Sequence, residues 1–214
     1  MQSHPDTVLR LGGWLFKKRT WLPLPFATAL LIIPARPASV PVSLLGLVIV
    51  AAGELVRLWA VRHIGVISRT RSDRLGPLVS TGPFARVRNP LYIGNLLLWI
   101  GFTVGAGLMW LVPIVVVLLG AEYHAIVRWE EGLLEARVGE AYGAYAARVP
   151  RWNPFSRQSP VGTRQSAVAS RQSPVASQSA EVFSWRETLF SERGTLIAIA
   201  VGYVLLWLKS TVNS

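Results

Sequence analysis

Long apolar runs separated by short basic stretches form the pattern of this 214-residue chain. Val40–Val61 and Leu189–Leu208 are each apolar enough, and about long enough, to cross a membrane as a helix. A shorter run, Trp21–Ile33, is interrupted and bounded by prolines, which predicts a short, kinked first span. A signal peptide has the same outline of a basic region before an apolar one, and that alternative stays open.

The longest uncharged stretch, Asn89–Ala121, covers 33 residues. At about 1.5 Å per residue a straight helix of this length measures roughly 50 Å, which exceeds the ~30 Å hydrocarbon core of a bilayer. Three glycines near its middle, Gly101, Gly105 and Gly107, offer a turn. We therefore predict a helical hairpin with two spans, Pro90–Val104 and Leu108–Val127.

Charged residues return after this stretch, and apolar positions then repeat with helical spacing. The repeat is four, three and four residues along one face: Leu134, Val138, Ala141 and Tyr145. This pattern predicts an amphipathic helix at the cytoplasmic membrane surface that ends at Pro150.

These elements divide the chain into four regions: an N-terminal tail with a first short span over 1–39, a membrane core over 40–155, a linker over 156–181 and a C-terminal helix over 182–214. The linker repeats SRQSPV at 156–161 and 170–175, a composition typical of disorder. We predict an all-α polytopic membrane protein. It has about five transmembrane helices, including the hairpin, and one amphipathic helix.

The composition agrees with a membrane protein, because 51% of the residues are hydrophobic and only 15% are charged. The net charge of +11 is also typical of proteins that bind nucleic acids. Here, however, the basic residues lie in loops between apolar runs, which suits anionic lipid headgroups better. We predict no nucleic-acid partner. The positive-inside rule places the N-terminus and these loops on the cytoplasmic side of the inner or plasma membrane.

Cysteine and histidine usage limits the chemistry that is open to the chain. Without cysteine, disulfides and thiolate chemistry are excluded. The three histidines, His4, His63 and His124, are scattered and show no metal-ligand spacing. We therefore predict no metal site.

The stretch Gly82–Gly94, reading GPFARVRNPLYIG, joins a basic loop to the start of an apolar helix. Asn89 is a favoured N-cap, and Pro90 suits the first helical position. A helix start presents unpaired N–H groups and a positive dipole end, so together with Arg88 it is a candidate anion site. Gly94, on the same face as Pro90, would let a ligand approach the backbone closely. Alternatively, the arginines of this loop only fix membrane topology.

The predicted span Val40–Val61 contains two ionisable residues, Glu54 and Arg57. They are three residues apart and therefore neighbours on a helix. Ionisable residues inside a span are candidates for a substrate or functional site. A structural ion pair near the interface, with Arg57 reaching toward headgroups, accounts for them equally well.

Three ordered blocks carry a resemblance to one family. They read GELVRLWA at 53–60, LVSTGPFARVRNPLYIG at 78–94, and a paired glutamate at 130–131 followed by GEAYGAYAARVP at 139–150. Together they resemble the superfamily of isoprenylcysteine carboxyl methyltransferases and phospholipid methyltransferases. The resemblance covers about residues 40–154. Asn89 stands where the isoprenylcysteine branch has histidine, which weakens assignment to that branch, and phospholipid N-methyltransferases can carry asparagine there.

The resemblance implies S-adenosyl-L-methionine as the methyl donor, bound at the cytoplasmic ends of the spans, and a lipid-like acceptor. The helix start at Arg88, Asn89 and Pro90 would hold the donor carboxylate. Glu130 or Glu131 would attract its sulfonium and amino groups. Three tyrosines would offer ring faces and hydroxyls to the adenosine: Tyr92, Tyr142 and Tyr145.

The resemblance also implies catalytic residues. The arginine of Arg-Val-Pro lies at the substrate carboxylate in the carboxyl methyltransferase branch, and that role would fall on Arg148, with Glu131 as a second candidate. A plain interfacial arginine and an acidic first helical turn are the alternatives for these positions. Small residues along two spans, Gly46, Gly53 and Gly101, suggest that an apolar acceptor enters sideways from the bilayer.

Two other functions compete with methyl transfer. Membrane sterol and steroid reductases share an Arg-His-Pro-Asn-Tyr-x-Gly signature and bind NADPH. Asn95, where such reductases often carry glutamate, and the Glu130–Glu131 pair favour methyl transfer. A non-catalytic membrane protein that binds lipid is the other alternative.

Overall fold

A computed structural model describes residues 7–19, 21–35, 37–65, 78–155 and 182–212. These residues form seven α-helices and two short 3₁₀ helices, with no strand among them, which confirms the predicted all-α class. The α-helices are α1 Thr7–Lys18, α2 Pro23–Ile32, α3 Val40–Ile64, α4 Pro90–Gly105, α5 Val112–Val138, α6 Glu140–Arg148 and α7 Trp185–Val212. The 3₁₀ helices are Gly82–Ala85 and Met109–Leu111. The predicted linker, 156–181, lies outside the described residues.

The described chain contains three helices that are long and apolar enough to cross a membrane: Val40–Ile64, Met109–Val138 and Trp185–Val212. The apolar helices α2 and α4 are shorter, with 10 and 16 residues. At about 1.5 Å per residue they measure roughly 15 and 24 Å. All five occupy the positions of the predicted spans, and the molecule is a membrane protein by the length and composition of its helices.

The predicted hairpin is present, and its turn lies at the expected glycines. α4 ends at Gly105, and Gly107 adopts φ 73°, a backbone conformation that residues other than glycine rarely adopt. The N–H of Leu108 donates to the carbonyl of Thr103 at 3.1 Å, which closes the turn before the chain enters α5. α4 and α5 therefore run antiparallel, as the uncharged stretch predicts.

The predicted boundary after Val127 is wrong, because α5 continues without a break to Val138. The chain bends instead at Gly139, where φ is 60°. The single amphipathic helix of the sequence prediction is thus two helices, the end of α5 and α6. Its periodic apolar residues still meet across the bend, since Leu134 and Val138 pack against a buried cluster that includes Tyr145.

α3 and α4 approach each other through glycines. A Cβ on Gly46 would lie 2.7 Å from the carbonyl oxygen of Gly101, and a Cβ on Gly53 would lie 2.8 Å from that of Gly94. Such contacts let two helix backbones approach each other closely, as small residues do in membrane helix pairs. The expected lateral entry past these glycines is therefore wrong, because α3 and α4 close that gap.

The N-terminal tail is partly helical, which the sequence analysis missed. α1 packs on α5 through Gly12, whose added Cβ would overlap the carbonyl of Ala125, and Gly13, which faces Trp129. The rings of Phe16 and Trp129 lie 4.8 Å apart. Two glycines and one aromatic ring thus dock α1 on α5. The polar composition of the N-terminal tail does not by itself reveal this short amphipathic helix.

One end of the helical assembly gathers the ends of α3 and α5 and the starts of α4 and α7. We call it the site end. Arg62 near the end of α3 donates from Nε to the carbonyl of Phe183, just before α7, at 3.3 Å. At the opposite end, Lys209 of α7 donates to the carbonyl of Leu30 at the end of α2, at 2.7 Å.

Candidate functional site

Two hydrogen bonds join the loop before α4 to the segment after α6 at the site end. The N–H of Arg88 donates to the carbonyl of Pro150 at 2.9 Å. Nδ2 of Asn89 donates to the carbonyl of Arg151 at 3.3 Å. The predicted capping role of the Asn89 side chain is wrong: it lies at the N-cap position but makes no capping bond to α4 within the described structure. The first N–H groups of α4 thus keep their capacity to bind an anion.

Glu131 of α5 lies between two arginines. Its Oε1 is 3.1 Å from Nη1 of Arg88, and its Oε2 is 2.6 Å from Nη2 of Arg151. Nε of Arg151 also donates to both carboxylate oxygens at 3.0 Å, so this pair is multiply bonded. The side chains of Arg88 and Glu131 are each 12% exposed. These bonds raise the pKa of Arg151. We call Arg88, Glu131 and Arg151 the arginine–glutamate network.

Two tyrosines of α6 line the same region. The hydroxyl of Tyr142 accepts a bond from Arg88 at 3.4 Å, and the hydroxyl of Tyr145 donates to the carbonyl of Phe84 at 2.8 Å. Burial raises the pKa of Tyr142 to about 12 and raises the pKa of Tyr145 well above its usual range. Both hydroxyls therefore keep their protons at physiological pH. Tyr145 secures the loop, and Tyr142 belongs to the network.

The paired glutamates point to different partners. While Glu131 binds arginines, Oε2 of Glu130 accepts a bond from the hydroxyl of Tyr92 at 3.1 Å. The Tyr92 ring packs against Tyr123, with centroids 5.1 Å apart. The structure thus brings Tyr92 and Glu130 together as the sequence analysis expects, on the face of α5 that turns toward α4.

Two predicted site residues have other surroundings. Arg148 is exposed, and its Nε donates to the carbonyl of Ala144 one turn earlier, at 3.2 Å. The arginine that reaches Glu131 is Arg151, which the sequence analysis missed, although it follows the Arg-Val-Pro block directly. The space beside Gly94 is filled by α3, since an added Cβ would lie 2.5 Å from Cγ of Arg57. Close helix packing, and not an open approach for a ligand, explains this glycine.

The predicted neighbours Glu54 and Arg57 form an ion pair, with Nε and Oε2 3.3 Å apart. This pair lies apart from the arginine–glutamate network, buried between α3, α4 and α7. Nη2 of Arg57 also binds Glu192 of α7 at 2.6 Å, a partner 135 residues away in sequence. No local spacing in the sequence indicates that contact.

The chain was then compared with known proteins. Residues 42–141 match the family model described as phospholipid methyltransferase. We call these 100 residues, a little under half of the chain, the phospholipid methyltransferase region. The resemblance inferred from the three motif blocks is thereby confirmed, because the matched family belongs to a superfamily of membrane methyltransferases. The phospholipid methyltransferase region includes α3, α4, α5 and the residues Arg88 and Glu131. Tyr142, Arg148 and Arg151 follow it in the chain.

Two curated proteins are similar to about half of the chain. The nickel-cobalt-cadmium resistance protein NccN of Alcaligenes xylosoxydans xylosoxydans is 30% identical over 117 residues, which is 55% of this chain and 50% of that protein. The cobalt-zinc-cadmium resistance protein CzcN of Cupriavidus metallidurans is 27% identical over 110 residues, 51% of this chain and 48% of that protein. The chain thus spans about half the length of these relatives. No solved structure matches it.

The site retains binding capacity for an anionic group beside the phospholipid methyltransferase region. Nε of Arg88 is buried and has no hydrogen-bond partner among the described residues. It stands next to the uncapped start of α4. A buried guanidinium N–H without a partner is costly, so a ligand carboxylate at this place would satisfy it. The described residues contain no group of three or more His, Asp or Glu side chains that could hold a metal ion.

Proposed function

We propose that this protein transfers a methyl group from S-adenosyl-L-methionine to an apolar or lipid-like acceptor that carries a carboxylate, amine or thiol. The observation that carries the proposal is the arginine–glutamate network beside the uncapped start of α4, built partly from the phospholipid methyltransferase region. The match to the phospholipid methyltransferase family supports methyl transfer as the reaction class. The network supports a donor that carries both an anionic and a cationic end.

The residues of the network divide the binding of the donor between them. Arg88, with the N–H groups after Asn89 and Pro90, holds its carboxylate. Glu131, and Glu130 beside Tyr92, attract the positive end. S-adenosyl-L-methionine supplies the electrophilic methyl group when bound. Because methyl transfer is an in-line displacement on carbon, the main task of these residues is to orient the reactants and exclude water.

Further roles follow for the tyrosines and for α6. Tyr142 presents a protonated hydroxyl and ring beside Arg88, suited to an adenosine, and Tyr145 fixes the loop that carries Arg88. Arg148, exposed on α6, is proposed at the acceptor. Arg151 orients Glu131 through its multiple bonds and joins the candidate catalytic residues. Gly94 contributes by letting α4 pack directly on α3.

We also propose that the site end faces the cytoplasm from the inner or plasma membrane. Arg62 and Arg137 lie in the last turns of α3 and α5, and Arg186 lies in the first turn of α7, all at this end, whereas Lys209 lies in the last turn of α7, near the opposite end. Positive charge accumulates on the cytoplasmic side of membrane proteins, so this asymmetry supports the orientation. A cytoplasmic site has direct access to a water-soluble donor.

Isothermal titration of the purified full-length protein in nanodiscs tests the proposal. We expect saturable binding of S-adenosylhomocysteine and none of NADPH. Binding of NADPH alone would support a reductase of the sterol or steroid type. Binding of neither compound by folded protein would favour a non-catalytic, lipid-binding membrane protein. Transfer of radiolabelled methyl groups from S-adenosyl-L-methionine to a lipid extract then shows whether the bound donor reacts.

The names of the two relatives suggest a cellular context. Both are named for metal resistance, and the similarity to them covers about half of this chain. We propose that a contribution of this protein to metal resistance would act through methylation of a membrane component. Growth of a deletion strain on nickel, cobalt and cadmium, complemented with the parent chain or with Glu131→Gln, tests this. Equal complementation by both chains would contradict it.

A further inference from the structure

A cluster of polar residues lies buried among three helices, apart from the arginine–glutamate network. Arg57 of α3 is its centre. Its Nη2 donates to Oε2 of Glu192 at 2.6 Å and to Oγ1 of Thr195 at 3.1 Å, both on α7. Its Nη1 donates to Oδ1 of Asn95 on α4. Glu192 is only 1% exposed, although α7 as a whole presents most of its surface outward.

The same arginine holds the second turn of α4. Its aliphatic carbons fill the space beside Gly94, where an added Cβ would lie 2.5 Å from Cγ and 3.3 Å from Cδ. Its guanidinium binds the next residue, Asn95. Pro90 begins this helix four residues before Gly94, and Arg88 precedes Pro90 by two. The orientation of α4 and its position along its own axis thus depend on the position of Arg57. The position of Arg88, just before the helix, depends on it as well.

Glu192 determines where Arg57 sits. Among the bonds that Arg57 makes to other helices, the one to Glu192 joins two charged groups at 2.6 Å within an apolar environment, where ion pairing is strongest. The bond to Glu54, at 3.3 Å, comes from the same helix and cannot fix α3 against its neighbours. The helix that carries Glu192 follows the phospholipid methyltransferase region and is separated from it by the linker.

We propose that Glu192 of α7 is a positioning residue for the methyl-donor site. It orients Arg57, and Arg57 in turn holds the second turn of α4 so that Arg88 and the first N–H groups of the helix face the donor. The C-terminal helix, α7, therefore contributes to binding of the methyl donor as well as anchoring the chain in the membrane. This inference rests on the proposed function.

The test compares variants of the full-length protein in nanodiscs. Glu192→Gln preserves the shape of the side chain and removes its charge. We expect binding of S-adenosylhomocysteine to weaken about tenfold, as the loss of a hydrogen bond to a charged group predicts, with unchanged helical circular dichroism. Turnover should show a raised KM for the donor. Arg193→Gln is the matched control, because Arg193 is the exposed neighbour of Glu192 and its removal should leave affinity unchanged.

A second control separates positioning from stability. Val50→Ala removes packing at the α3–α4 interface, where Val50 contacts Gly101 at a distance from the cluster. It should lower the unfolding temperature while donor affinity stays within twofold of the parent. If Glu192→Gln lowers the unfolding temperature in the same way and binds S-adenosylhomocysteine like the parent, Glu192 is only structural and the proposal fails.

The remaining outcomes also decide the matter. Should Glu192→Gln fail to fold, Glu192→Asp, which keeps the charge on a shorter side chain, is measured instead. Weaker donor binding by the folded aspartate variant supports the proposal, and unchanged binding overturns it. If the parent protein itself does not bind S-adenosylhomocysteine, the proposed function is wrong, and this inference, which depends on it, is wrong as well. The parent titration thus tells the two failures apart.

Discussion

Arg148 and Arg151 stand three residues apart, but the fold gives them different surroundings. Arg151 turns inward and binds both carboxylate oxygens of Glu131, while Arg148 turns outward along α6. α6 ends at Arg148, and Val149 before Pro150 is extended, so Arg148 and Arg151 do not lie on one helix. The resemblance assigns the catalytic role to Arg148, and the structure adds Arg151 as a second candidate.

Substitution of each arginine by glutamine separates their roles. Arg151→Gln should weaken S-adenosylhomocysteine binding roughly tenfold, because Glu131 loses a multiply bonded partner and its orientation beside Arg88. Arg148→Gln should leave donor affinity unchanged and lower turnover with the acceptor. Titration and steady-state kinetics provide the measurements. Normal donor binding by Arg151→Gln would remove Arg151 from the site.

Asn89 offers a second test at the scale of one residue. Asn89→Asp places a carboxylate at the uncapped start of α4, where it competes with the donor carboxylate for the N–H groups and for Arg88. We expect an unchanged or slightly raised unfolding temperature together with clearly weaker binding of S-adenosylhomocysteine. Asn89→Ser, a neutral cap, is the control. Equal affinity of the aspartate variant and the parent would place the anion site elsewhere.

Among the helices, the α3–α4 pair shows what its glycines are for. Four of them bring the two helix backbones into close contact: Gly46, Gly53, Gly94 and Gly101. This packing rigidly connects Arg57 to the start of α4. It also excludes the gap through which the sequence analysis expected the acceptor to enter.

Gly53→Ala tests the contact directly. Its added Cβ would lie 2.8 Å from the carbonyl oxygen of Gly94, so the helices must separate, at a cost of about 1–3 kcal/mol. Gly120→Ala on α5 is the matched control, because nothing lies within 4 Å of its added Cβ. We expect a lower unfolding temperature only for Gly53→Ala. An unchanged temperature would show that the helices are not in close contact.

At the scale of the whole molecule, we expect the bilayer to restrict which methyl acceptors can reach the proposed site. The proposed methyl-donor site lies at the ends of apolar helices, so a lipid-like acceptor would keep its chains in the bilayer while its polar group approaches the donor. Each methylene that is lost from a buried chain removes about 0.8 kcal/mol of binding.

Turnover should therefore fall steeply along a series of acceptors with shortened chains, measured in nanodiscs at a fixed donor concentration. The KM for S-adenosyl-L-methionine serves as the control and should not change along the series. Equal rates for soluble and long-chain acceptors would contradict a membrane-borne substrate.

Much of this architecture could be predicted from local patterns. Uncharged runs of sufficient length predict the spans, because a helix in a bilayer must satisfy its backbone internally and present apolar side chains. Pro90 marks the start of α4, Gly107 the hairpin turn, and the spacing of Glu54 and Arg57 their ion pair. Each of these depends on residues a few positions apart, so the sequence by itself determined them.

Only the tertiary structure decided which faces of these helices meet. In a membrane helix most faces are apolar, and hydrophobic periodicity then says little about packing. The contact of Arg57 with Glu192 joins residues 135 positions apart. The pairing of Arg151 with Glu131, the docking of α1 and the bend at Gly139 depend likewise on neighbours brought near by folding. Buried charges must find partners, and in this protein those partners come from distant helices.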